Sequence, residues 1–130
     1  MLAPILLFAF KRPEHLRKCL ESLAQNKEAS QSELHIFIDG PKEPEDVAKI
    51  EEVKQVASSR AWCKKVSIAT NTENKGVPRQ VIGAVTEFCR TDGKVIVLED
   101  DLVLSPYFLE FLNSSLEKYV DEPRVMEITG

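Results

Sequence analysis

The sequence predicts an α/β domain built on a mostly parallel sheet with helices packed against it. Apolar segments of strand length alternate with amphipathic helical segments along the chain, and the first apolar run lacks the polar alternation of a sheet with one wet face. Pro also stands near the start of successive helical segments, where its missing N–H is not needed.

Residues 3–10 form the continuous apolar run of a strand buried on both faces. Arg12-Pro13-Glu14 opens a helix, with Pro at a first-turn position and Glu near the positive end of the dipole. Leu16, Cys19, Leu20 and Leu23 recur at i, i+3, i+4 and i+7 and make its inner stripe. Residues 34–38 form a second strand, stopped by Asp39-Gly40-Pro41. From Pro44 a second helix carries Val47, Ile50 and Val53 inward, and a weaker third strand covers 65–69. After the polar loop 70–76, a helix from Val77 turns Val81, Ala84, Val85 and Phe88 inward. Thr91-Asp92-Gly93 then leads into a fourth strand at 94–98. Ser105-Pro106 combines an N-cap with a first-turn Pro and starts a helix that buries Phe108, Leu109, Leu112 and Leu116. Pro123 ends it, and 124–129 read as a final strand.

A length of 130 residues suits one domain, and 43% hydrophobic with 29% charged residues is an ordinary globular composition. The formal net charge of −4 speaks against a nucleic-acid partner, which calls for a basic stripe. No apolar run approaches the roughly 20 residues of a membrane span. The apolar residues 1–10 lack the basic start and small-residue cleavage site of a secretion signal. Cys19, Cys63 and Cys89 are odd in number and form no C-x-x-C, which suits reduced thiols in a cytoplasmic protein. Cys19 and Cys89 are expected on apolar helical faces, His15 and His35 have no triad-like partners, and Trp62 is expected to pack.

In open α/β sheets, ligands bind beyond the carboxyl ends of the strands. Those ends carry Lys11 and Arg12, then Asp39-Gly40, then Asn74-Lys75-Gly76, and finally Glu99-Asp100-Asp101. Three consecutive acids repel one another unless a cation or hydrogen-bond donors compensate. Magnesium or manganese, held by one or two carboxylates and substrate phosphate oxygens, matches that pattern. Alternation along the backbone sends Asp100 to one side and Glu99 and Asp101 to the other. The plain alternative is that the acids only cap the turn and the next helix; their place at the end of the most strand-like segment, on one edge with Arg12 and Asp39, favours the cation. Arg12 is a fork for phosphate or a base edge, or a solvated helix-start residue. Asp39 either accepts from a nucleobase N–H or completes an Asp-Gly-Pro turn, and Lys75 and Arg79 stand where phosphate could be met.

The stretch from Ala3 to Pro13, followed by Leu16-Arg17-Lys18-Cys19-Leu20, resembles the opening of GT-A glycosyltransferases of the family 2-like group. Val97-Leu98-Glu99-Asp100-Asp101-Leu102-Val103-Leu104-Ser105-Pro106-Tyr107-Phe108 resembles the metal-binding segment of the N-acetylglucosaminyltransferase I group. That group carries a Glu-Asp-Asp version of the Asp-x-Asp motif. The resemblance implies a Rossmann-like GT-A fold, a nucleotide-diphospho-sugar donor (a UDP-sugar) and a manganese or magnesium ion. It implies Asp101 as the metal ligand, Asp100 by the ribose and metal, and Glu99 facing the donor sugar. Arg12 and Asp39 would contact the nucleotide, Asp39 at the base. Asn74, Gly76 and Gly83 match the middle loop of the family, whose Ala-Arg-Asn is replaced here, and Lys75 and Arg79 are the basic residues of that region.

The expected function is therefore transfer of a sugar from that donor to an acceptor hydroxyl on a glycan, lipid or protein. Residues 1–130 would supply the donor-binding half, with the general base and acceptor site beyond Gly130. A domain cut short there would expose apolar surface and favour self-association. Two other readings compete. A receiver-like regulatory module would place acids after the first strand, where Lys11-Arg12 stand. A non-catalytic nucleotide-sugar-binding domain needs only the residues already present.

Overall fold

The computed structural model describes residues 2–125 and 127–129. Four strands, β1 (Ile5–Ala9), β2 (Glu33–Ile38), β3 (Lys65–Thr70) and β4 (Ile96–Glu99), form one sheet in the order β3-β2-β1-β4. Every pairing is parallel, with Ile5 opposite both Leu34 and Ile96, and Glu33 opposite Lys65. Four helices flank it: α1 (Pro13–Ala24), α2 (Asp46–Ser58), α3 (Val77–Asp92) and α4 (Phe108–Lys118). This is the expected α/β class, a Rossmann-like sheet covered by helices.

The chain steps outward from β1 to β2 to β3, then returns through α3 to lay β4 on the far side of β1. Parallel crossovers keep one hand, so reversing direction sends the connecting helix to the opposite face. Ile5, Leu7 and Ala9 share a face with Leu34, Ile36, Ile38, Ile96 and Leu98, and this face joins the stripes of α1 and α2 in one buried cluster. On the other face Phe8 stacks on Phe37 at 5.1 Å, and Phe88 of α3 meets the His35 ring at 4.6 Å. A receiver module would order its strands 2-1-3-4-5, with the third strand beside the first; here β4 takes that place.

The α1 stripe of Leu16, Cys19, Leu20 and Leu23 is fully buried, as its spacing requires. Val47 is 49% exposed, contrary to expectation, because α2 begins at Asp46 and turns that carboxylate inward instead. Val81, Ala84, Val85 and Phe88 are, with Gln80, the half-buried positions of α3, so the helical phase holds, but no residue of α3 is fully buried. Cys89 on the same helix is exposed rather than inward, whereas Trp62 is buried with Nε1 donating to the Ala57 carbonyl at 3.1 Å. Ser105 does not cap α4: its Oγ accepts from Tyr107 N, and α4 begins at Phe108. The role falls to Asn26, whose Oδ1 accepts from Leu109 N at 2.9 Å while its Nδ2 donates to the Ser22 and Ser105 carbonyls.

The final strand expected at 124–129 is not formed by its described residues; Met126 and Gly130 lie outside them. Glu122 turns the chain there, its Oε1 accepting from both the backbone N and Nε of Arg124.

His35 sits under α3 with Nδ1 bonded to Ser67 Oγ at 2.7 Å, while buried Nε2 has no hydrogen-bond partner among the described residues. Burial lowers its pKa, and Lys65 adds to this, against the opposing pull of Glu33 and Asp92. A histidine with a depressed folded pKa binds fewer protons than the unfolded chain just below pH 6.5, so stability is lost as pH falls through that value. Urea midpoints are expected to drop between about pH 7.5 and about pH 5.5 in the wild type, and less so in His35→Leu. Parallel titration of the two proteins would contradict this.

Candidate functional site

Since all four strands run parallel, their carboxyl ends lie on one edge. The strand order reverses between β1 and β4, with β2 and β3 on one side of β1 and β4 on the other, so the edge between these two carboxyl ends is the topological switch point, the expected place for a ligand. Arg12 follows β1 there and Glu99-Asp100-Asp101 end β4.

The three acids differ in burial, with Asp100 and Asp101 in the turn that follows β4. Asp100 is 3% exposed, whereas Glu99 and Asp101 are exposed. Nη2 of Arg12 donates to Oδ1 of Asp100 in an ion pair that spans the switch point. Burial pushes the Asp100 carboxyl above its ordinary value despite that guanidinium, and the charge of Asp101 adds to the rise. Below this pair, the Cys19 thiol points at the Glu99 carbonyl at 3.7 Å, and burial drives its pKa to about 12, so it is packing rather than a nucleophile.

Lys11 turns the other way, its Nζ 2.9 Å from Oδ1 of Asp46, which holds it charged. Oδ2 of Asp46 accepts from the backbone N of Lys42 and of Glu43. The consecutive residues Lys11 and Arg12 thus tie the end of β1 to the start of α2 and to the end of β4.

At the end of β2, Asp39 is 2% exposed and both its oxygens are occupied. Oδ1 accepts from Gly40 N, Lys75 N and Asn71 Nδ2, and Oδ2 from Asn74 Nδ2 and Gly76 N, at 2.9–3.2 Å. Burial alone would raise its pKa; the donors, led by Lys75 N and the Asn71 amide, outweigh it and hold the carboxyl low. A carboxylate has about four lone-pair sites, so Asp39 is saturated by its own loop. Asn74 also donates to the Gly40 carbonyl at 3.0 Å. The side chains of Lys75 and Arg79 are exposed, the first contributing only its backbone to this knot. Gly76, at φ 81°, takes the left-handed turn that starts α3. No sequence pattern singles out Asp46, whereas Asn71 has a signal, since it directly follows β3 at the same edge.

For the divalent cation implied above, no cluster of three or more His, Cys, Asp or Glu side chains stands ready among the described residues. The donor set is Asp101, exposed and without a hydrogen bond or ion pair among those residues, beside an Asp100 that Arg12 holds. That fits an ion that completes its shell with phosphate oxygens and water, and does not fit an all-protein cage. A surface hollow lined by Tyr107, Phe111 and Ser115 lies along α4, but the charges converge at the strand ends.

Fold and site together define a Rossmann-like α/β domain with charged residues gathered at its switch point. The chain belongs to glycosyl transferase family 2, whose sequence model matches residues 5–122. No curated protein matches the chain. Among solved structures, protein Rv1636 from Mycobacterium tuberculosis H37Rv aligns with 12% identity over 99% of each chain at a TM-score of 0.43, a likeness from which nothing about function follows. No described helix is long and apolar enough to cross a membrane.

Proposed function

We propose that residues 1–130 form the donor-binding part of a metal-dependent glycosyltransferase of the N-acetylglucosaminyltransferase I type, taking a UDP-sugar. The observation that carries this is the pairing of Arg12 with Asp100, next in sequence to the exposed Asp101, at the switch point of a family 2 domain. Asp101 is assigned to a manganese or magnesium ion, which when bound offsets charge on a departing diphosphate. Asp100 and Arg12 line the nucleotide side, and Glu99 faces the sugar. Asp39 and Asn74 act on the nucleotide through the loop they hold at the carboxyl end of β2. Lys75 and Arg79, exposed at the rim, offer charge to the phosphates. The acceptor hydroxyl and its general base are assigned to no described residue. Three free cysteines are compatible with a reducing, cytoplasmic setting.

Asp101→Ala is expected to weaken UDP binding in the presence of manganese by at least about tenfold, with the thermal midpoint unchanged because the side chain is exposed. Calorimetric titration of both proteins with UDP and manganese measures it. Equal affinities, or no binding by the wild type, would overturn the assignment.

A further inference from the structure

Asp100 and Asp101 follow the end of β4, and Oδ1 of Asp100 is already taken. Asp100 already has a positive partner, the guanidinium of Arg12, which is half exposed while its carboxylate partner is buried. Arg12 is also the N-cap residue of α1, where a cation faces the positive end of the helix dipole. The pairing with Asp100 offsets that repulsion, so each residue of the pair is held in an otherwise unfavourable place by the other.

We infer that Arg12 is a resident counter-ion that keeps Asp100 from a divalent metal until an anionic nucleotide diphosphate draws the guanidinium away. The inference rests on the donor-site reading above and deepens it. A guanidinium forks equally well onto a carboxylate or a phosphate, so exchange of partners conserves its hydrogen bonds. In the free protein the metal meets Asp101 alone, with a positive charge nearby. With the diphosphate on Arg12, Asp100 gains a free oxygen and the repelling charge is neutralised. Metal and nucleotide then strengthen each other's binding, by the same factor in both directions.

The test is manganese affinity without nucleotide, read by the electron-spin signal of free manganese, in Arg12→Gln, Arg12→Lys and the wild type. The glutamine keeps a polar side chain at residue 12 but carries no charge; the lysine restores the charge. Arg12→Gln is expected to bind manganese alone about tenfold or more tightly than the wild type, within the usual range of coupling between sites. Arg12→Lys should stay near the wild type. Adding Asp100→Asn to Arg12→Gln should erase the gain. UDP should raise manganese affinity strongly in the wild type and much less in Arg12→Gln. Unchanged or weaker manganese binding by a folded Arg12→Gln overturns the counter-ion role, even where Asp101→Ala behaves as stated above. Absence of manganese binding in every protein, with or without UDP, overturns the metal reading itself and this inference with it.

Discussion

Asp39→Ala is expected to lose about 3–5 kcal/mol of stability and to free residues 71–76 from the end of β2. The carboxylate is 2% exposed and accepts three backbone N–H groups and two side-chain amides. Hydrogen bonds to a charged acceptor contribute about 1.5–3 kcal/mol each when measured singly, but five bonds to one group are not additive. What the substitution leaves behind decides the size: donors arranged around a missing acceptor, some of which water reaches once the loop opens. Against a total of about 5–15 kcal/mol for a domain this is a large fraction. Chemical denaturation measures the loss, and amide exchange at Lys75 and Gly76 locates it. A loss under about 1 kcal/mol would show that the loop is held by other means. Asp39 is also held below its ordinary pKa of 3.8, so its contribution is complete above that pH and is lost as pH falls through the lower folded value. The variant should therefore show a shallower fall of stability in acid than the wild type.

This knot marks the boundary of what the sequence makes legible. Periodicity places the buried stripe of α1 and the four parallel strands, because each depends on neighbours a few residues away. The convergence of charged residues on one edge also follows, since parallel strands put every carboxyl end on the same side. Partner choice does not follow. Arg12 meets Asp100 across 88 positions and Asn26 caps α4 across 83, and no local pattern encodes which donor finds which acceptor at such separations. Asp39 reads in isolation as a residue open to a base, but the donors that fill it come from 71–76. Val47 has the right apolar character and the wrong phase, because Asp46 at the start of α2 is claimed by Lys11. The stripe of α3 has the right phase but only partial burial, since exposure depends on what else covers that face of the sheet.

Gly40→Ala is the sharper probe of the same loop. In an Asp-Gly-Pro turn, glycine reads as a concession to backbone conformation, but Gly40 is not among the residues with positive φ. If conformation were the only issue, alanine would be tolerated and would stabilise by about 0.4–1 kcal/mol through the unfolded chain. Packing reverses the sign. A Cβ at residue 40 would lie 2.5 Å from the carbonyl carbon and oxygen of Glu73 and 2.7 Å from its N. These are backbone atoms in a segment tied on both sides, by Asn71 N to the Ile38 carbonyl at 3.0 Å and by Lys75 N and Gly76 N to Asp39. Glu73 can retreat only by lengthening those bonds, so the substitution should destabilise by about 2–3 kcal/mol. A variant as stable as the wild type would mean that the loop slides freely. The decisive comparison is the double variant with Asp39→Ala. Once the carboxylate no longer anchors the loop, Glu73 is free to move, and adding Gly40→Ala should cost less than about 1 kcal/mol more. Full additivity would place the strain elsewhere than in the loop, whereas a strong shortfall identifies the close approach at Gly40 and the saturation of Asp39 as one device that fixes the loop at the end of β2.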